Sequence, residues 1–253
     1  MGKNNKGVSR RDFLKTSGIA AGTLVGGGLI GGAIGYNARK NSGTTQPAGD
    51  GKENYIASPK GRKFFKSNRD FDILSQAMER IFPEDELGPG AIGLGVPYFI
   101  DNQLAGSYGV NAREYMQGPF DVGEPTQGYQ TPLIRQEVFL RGIRKLDQEA
   151  QSRFDASFAN LEGEQMDEIL TDFQKGEVEM DGLTSEFFFQ LLRSATLEGA
   201  YADPIYSGNN NMEGWRMKNY PGNQMAYIND IESEEFKEIE PQSLASMDQN
   251  MKE

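Results

Sequence analysis

Thr184-Ser185-Glu186-Phe187-Phe188-Phe189-Gln190-Leu191-Leu192-Arg193-Ser194-Ala195-Thr196-Leu197-Glu198-Gly199 is the stretch on which the fold turns. Phe188, Leu191, Leu192, Ala195 and Gly199 recur three or four positions apart, the spacing that gathers side chains on one face of an α-helix. Thr184 places a hydroxyl just ahead of the apolar run, where an N-cap acceptor belongs. The segment therefore predicts a helix opening near Thr184.

The same period recurs upstream. Phe71, Leu74, Met78, Ile81 and Phe82 share a face, and Pro83 stops that helix because it can neither donate a backbone hydrogen bond nor clear the preceding turn. Val96, Phe99, Ile100 and Leu104 predict a second helix. Thr131-Pro132 reads as an N-cap with proline in the first turn, opening a long helix through Leu133, Ile134, Val138, Ile143, Leu146 and Ala150. Met166, Ile169, Leu170 and Phe173 form another stripe, closed by Lys175-Gly176 as a C-cap. Alternation of the strand type is absent. The fold class is mainly α: a single irregular helical domain over residues 67–230, with long loops at 83–95, 117–131 and 202–223. The aromatic and methionine stripes read as core packing, not as cofactor sites.

The ends of the chain read differently. Residues 1–40 hold Lys3, Lys6, Arg10, Arg11, Lys15, Arg39 and Lys40 against Asp12, a net of +6; with the whole chain at −11, the rest stands at −17. Ser9-Arg10-Arg11-Asp12-Phe13-Leu14-Lys15 resembles the twin-arginine (Tat) export signal, and residues 16–38 follow without a charge. Residues 1–38 are thus a signal and apolar segment. Ala33-Ile34-Gly35 would suit a signal peptidase, with Tyr36 starting the mature chain. The uncharged run is also long enough to stay as an anchor, since a span needs roughly 20 residues. Gly26-Gly27-Gly28-Leu29-Ile30-Gly31 matches the dinucleotide fingerprint by letter, but a basic segment precedes it where a strand is required. Residues 39–66 are rich in Gly, Ser, Thr, Asn, Pro and Lys, the composition of a flexible linker. Residues 231–253 read as an acidic, frayed tail.

Composition then excludes whole classes of chemistry. The 253 residues contain no histidine and no cysteine. That removes the usual ligands of zinc, copper and iron–sulfur clusters, Cys–His and Ser–His nucleophile pairs, covalent haem attachment and disulfides. Catalysis is left to carboxylates, Lys, Tyr and Ser, or to another chain. The acidic body also argues against a phosphate backbone, so nucleic acid is not an expected partner.

One long loop stands apart. Residues 198–222 contain the only tryptophan, Trp215, together with Tyr201, Tyr206 and Tyr220, spaced by Gly and Asn that favour tight turns. Aromatics on such a framework suit either a lid over the domain's own core or a surface that faces a partner. Gly199, Asp203-Pro204, Tyr206, Gly208-Asn209, Gly214-Trp215 and Tyr220-Pro221-Gly222 resemble the pattern of the gluconate 2-dehydrogenase subunit 3 family. A weaker match lies at Ile81-Phe82-Pro83-Glu84-Asp85 and Leu87-Gly88-Pro89-Gly90-Ala91. The resemblance implies a small subunit without catalytic, cofactor or metal residues of its own. Its implied partners are a large FAD-containing dehydrogenase subunit of the glucose–methanol–choline type, a membrane cytochrome c with its haem, and the Tat translocase. It implies a place at the outer face of the cytoplasmic membrane or in the periplasm, and a part in maturing and exporting the flavoprotein.

Two other readings stay open on the residues alone. Glu198 and Asp203 beside Tyr201, Tyr206 and Trp215 could serve as the two carboxylates and stacking platform of a glycoside hydrolase. A free-standing extracytoplasmic sugar-binding protein would need a pocket within this one small domain. Asp203, Asn209, Asn210, Asn211 and Glu213 offer oxygens for calcium, but their spacing is not that of an EF-hand loop.

Overall fold

The computed structural model describes residues 61–245 apart from 122, 125, 126, 229, 230 and 236. The expected export signal at Ser9, Arg10, Arg11, Phe13, Leu14 and Lys15, the apolar run and most of the linker lie outside the described residues.

The described chain forms α1 (Asn68–Ile81), α2 (Val96–Ala105), α3 (Arg135–Phe154), α4 (Gly163–Lys175), α5 (Ser185–Tyr201) and the single turn α6 (Glu213–Arg216). Short 3-10 turns occur at Phe158–Asn160, Pro204–Tyr206 and Asn210–Met212. Extended pairing among the described residues is limited to two isolated bridges, Asp85 with Gly88 and Gly222 with Gln242. The fold is mainly α, as the apolar period requires. Among the described residues no helix is long and apolar enough to cross a membrane.

Helices α1 and α5 form the centre, each packing on all of the other long helices. The stripe residues meet there: Leu74, Met78 and Ile81 of α1, Val138, Ile143 and Leu146 of α3, Ile169 and Phe173 of α4, and Phe188, Leu192 and Ala195 of α5 are all buried. Phe188 meets Phe139 and Phe173 edge-on, with centroids 6.1 and 5.9 Å away, the geometry that ring quadrupoles favour. Helix α2 crosses α5 at Gly199, where a Cβ would stand 2.8 Å from both Val96 and Phe99. Thr184 caps α5 by accepting the Phe187 N–H at 3.2 Å, and Gly176 closes α4 in the left-handed region.

Three expectations are corrected. Helix α3 begins at Arg135, not at Thr131-Pro132. The Thr131 hydroxyl accepts the Leu133 N–H at 3.3 Å and donates to the Gly182 carbonyl at 3.3 Å, so it makes a local turn and ties down the α4–α5 connection. The first N–H groups of α3 go elsewhere: Arg135 donates to Asn111 Oδ1 at 2.9 Å and Gln136 to the Gly109 carbonyl at 3.0 Å. The expected linker ends before residue 66. The Lys63, Phe64 and Phe65 N–H groups all donate to the carboxylate of buried Asp101 on α2, the last at 2.8 Å, and Phe65 joins the core. Finally, the acidic tail is not frayed throughout. Residues 242–244 return to the domain, with Ser243 fully buried against Asp203 at 2.7 Å.

Candidate functional site

The loop after α5 is built from polar groups turned inward. Tyr201 ends the helix, and Asp203 takes the N-cap position of the 3-10 turn Pro204–Tyr206, with Pro204 in its first turn and buried. Asp203 is nearly buried and accepts four hydrogen bonds. Oδ1 receives the Ile205 N–H at 3.0 Å and the Ser243 hydroxyl at 2.7 Å; Oδ2 receives Asn223 Nδ2 at 2.8 Å and the Leu244 N–H at 2.9 Å. A buried carboxylate needs that number of donors to offset lost hydration.

Asn209, fully buried and left-handed at φ +48°, staples the next turn. Its Nδ2 donates to the Ala202 carbonyl at 2.8 Å and its Oδ1 accepts the Gly214 N–H at 2.7 Å. Gly208 and Gly214 lie directly on the end of α5: a Cβ would come within 2.2 Å of the Gly199 carbonyl oxygen and 2.0 Å of that of Ala200. Trp215 is buried, donates its indole N–H to the Tyr201 carbonyl at 2.8 Å, and meets Tyr220 edge-on at 5.4 Å. Pro221 and Gly222 carry the chain past Trp215, where the Pro221 carbonyl accepts the Gln242 N–H at 3.1 Å.

The second, weaker piece of the pattern is brought against the first. In the 83–95 loop, Glu79 of α1 accepts the Ile92 N–H at 2.8 Å and the Glu84 N–H at 3.2 Å. Asn210 then joins the two loops, its N–H on the Leu94 carbonyl and its Nδ2 on the Gly93 carbonyl, each at 3.0 Å. The loop expected to lack secondary structure is thus three short turns, fixed by bonds to residues more than a hundred positions away.

The sequence left lid and partner surface as alternatives for this segment; the structure shows which of its side chains turn inward and which reach solvent. Asp203, Pro204, Gly208, Asn209, Gly214, Trp215 and Gly222 point inward or sit at close backbone contacts. Tyr206 and Tyr220 are about half exposed, at 54% and 50%, and so is Ile205, at 47%. Sequence reasoning missed further apolar groups in solvent: Met225, Tyr227, Ile228, Ile231 and Leu244. For the first three a signal was present, because residues 219–229 carry no charge within a strongly acidic body.

A cleft of about 620 Å³ opens beside Trp215, lined by Tyr201, Asp203, Lys218, Tyr220, Asn223 and Leu244 among others. Its two charged side chains are committed to the protein itself. Asp203 is fully bonded, and Lys218 Nζ stands 3.8 Å from the Tyr201 ring centroid as a cation–π contact. Glu198 lies outside this cleft. Desolvation pushes its carboxyl above the ordinary range, with Arg135 pulling the other way. The two carboxylates of the hydrolase reading therefore do not flank one substrate space. The oxygens considered for calcium are likewise dispersed: Asn209 and Asn210 serve the loop, and Glu213 pairs with Arg216 at 3.1 Å. Among the described residues no group of three or more acidic side chains is placed to hold a metal ion.

No curated protein and no solved structure matches the chain. A family model described as gluconate 2-dehydrogenase subunit 3 matches residues 68–222, from the first residue of α1 to the glycine that closes the loop past Trp215. With well over half of its length inside that match, including both loops joined at Asn210, the chain belongs to the gluconate 2-dehydrogenase subunit 3 family.

Proposed function

We propose that this chain is a non-catalytic accessory subunit that docks a large FAD-containing dehydrogenase subunit through the loop following α5, and that it carries the partner to the Tat translocase. The flavin of the partner oxidises a sugar or sugar acid, and a membrane cytochrome c takes the electrons onward. The accessory chain acts in maturation and export, and works at the outer face of the cytoplasmic membrane or in the periplasm, held there by an uncleaved signal.

One observation carries the docking reading. Buried bonds to Asp203, Asn209 and Trp215 fix the loop backbone, while Ile205, Tyr206 and Tyr220 remain half in solvent. A rigid backbone presenting tyrosine and aliphatic side chains loses little entropy on association and supplies the residue types that dominate interface energetics. Family membership supplies the dehydrogenase as the partner. The export role is supported by the Ser9-Arg10-Arg11 motif and by the lack of histidine and cysteine, since a chain without cofactor ligands gains little by itself from a route for folded, loaded proteins.

Co-expression with the FAD-containing partner subunit tests the docking. Ile205→Asp with Tyr206→Asp should reduce its co-purification at least tenfold while leaving the thermal midpoint of the accessory chain within a few degrees. Undiminished capture by the double variant would remove the loop from the interface.

A further inference from the structure

Residues 242–244 come back from a separate part of the chain and lie against the loop as a ligand would. Gln242 donates to the Pro221 carbonyl at 3.1 Å and accepts the Asn223 N–H at 2.8 Å, forming a parallel bridge across Gly222. The Ser243 hydroxyl and the Leu244 N–H each take one oxygen of Asp203, at 2.7 and 2.9 Å. The Leu244 side chain lines the cleft beside Trp215 and Tyr220. Gly222 makes the room: a Cβ there would lie 2.3 Å from the Gln242 carbonyl oxygen.

The origin of the donors sets this segment apart. Asp203 belongs to the family-matched residues 68–222, whereas Asn223, Ser243 and Leu244 lie beyond them. Within the matched unit the carboxylate keeps a single donor, the Ile205 N–H. The other three donors come from outside the matched unit, two of them from residues 243 and 244, so a second segment completes the carboxylate's partners. Met225, Ile228 and Ile231, on the way to Gln242, are each more than three-quarters exposed. A segment that fills its site by three bonds of its backbone and one of a hydroxyl behaves as an intramolecular ligand.

We propose that Asp203 and the backbone edge at residues 221–223 form a peptide-recognition site, filled in cis by residues 242–244. The site takes an extended segment with a hydroxyl residue followed by an aliphatic one. The bridge aligns its backbone, Asp203 reads the hydroxyl and the next N–H, and the cleft beside Trp215 receives the aliphatic side chain.

The test uses the full chain carrying Gln242→Pro and Leu244→Pro, which deletes both tail N–H donors and vacates the site with Asp203 intact. The probe is a fluorescent synthetic peptide of residues 239–246. The double variant should bind it at least tenfold more tightly than the unaltered chain, whose site is already filled. Adding Asp203→Asn should abolish the gain, as should Ser→Ala at the peptide's Ser243 position. No binding by a double variant that remains helical by circular dichroism, or binding that survives Asp203→Asn, overturns the proposal. Hydrogen exchange on the unaltered chain reads the same equilibrium without substitutions. The Asn223 and Leu244 amides should exchange at least a hundredfold faster than those of Phe188 and Leu192, and exchange only in step with α5 would make the tail part of the core and overturn it.

Discussion

Trp215 is held by both its edge and its face. The indole N–H is spent on the Tyr201 carbonyl at the last residue of α5, and the ring packs against Tyr220. Replacing it with Ala empties buried volume and removes that hydrogen bond, so Trp215→Ala should cost about 3–5 kcal/mol of stability, the usual range for a large buried aromatic. Trp215→Phe retains most of the packing and loses the bond, about 1 kcal/mol. Denaturant melts of both variants check the order, and a Phe variant as damaged as the Ala one would mean that the hydrogen bond dominates. Around Trp215 the backbone is under tension. Ser207, Asn209, Asn211 and Met212 all have positive φ, a region that costs side chains other than glycine on the order of 1–3 kcal/mol each where the fit is poor. Asn tolerates it best, and Ser207 and Met212 are the positions in this group without that tolerance. Such strain persists only where neighbouring bonds over-determine the backbone, as the Asn209 staple does here.

At the scale of elements, α3 and α4 are joined by a charge cluster whose response to pH can be stated. Burial acts to raise the Glu149 carboxyl, but hydrogen bonds and charges from Lys145 and Arg153 outweigh it and hold the group below its ordinary range. Arg153 reaches on to Asp172 of α4 at 2.6 Å. A carboxyl depressed in the folded state stabilises above its unfolded value and loses that contribution as pH falls through the folded value. The melting temperature of the unaltered chain should therefore exceed that of Glu149→Gln at neutral pH, with the gap closing on acidification below the ordinary carboxylate range; parallel curves would contradict this. The elements themselves were largely legible in the sequence, because α1, α2, α4 and α5 each carry their own apolar stripe, and Thr184 and Gly176 their own caps. What escaped were features whose cause is remote. Thr131 looked like a cap, yet the donors of α3 are met by Asn111 and Gly109. Phe64 and Phe65 looked like linker because the carboxylate that gathers their N–H groups is Asp101. Ser243 looked like tail because its partner is Asp203. The loop motif was readable as a pattern, but which of its residues face inward depends on the path that Asn210 and the glycines impose.

For the whole molecule, charge and address divide along the chain. The acidic body repels other acidic surfaces, so a partner would approach most easily over residues 219–229, where no charge stands. If Arg10 and Arg11 open a signal that serves two proteins, their replacement by Lys should leave both this chain and its flavoprotein in the cytoplasm, as read by fractionation and dehydrogenase activity of intact cells. Normal export of the flavoprotein in that variant would refute the carrier role. The Asp101 clamp adds a mechanical consequence. A pull applied through the residues ahead of Arg62 reaches the folded body first at Arg62, whose guanidinium bonds Ser67 and Asn68 at the start of α1, and next at the three N–H groups gathered by that carboxylate on α2. From α2 the force passes into α5 at Gly199, close beneath the Trp215 loop. Hauling the chain from that side therefore loads α1, α2 and the root of the Trp215 loop, whereas the returning tail segment at Ser243 bears none of the load directly.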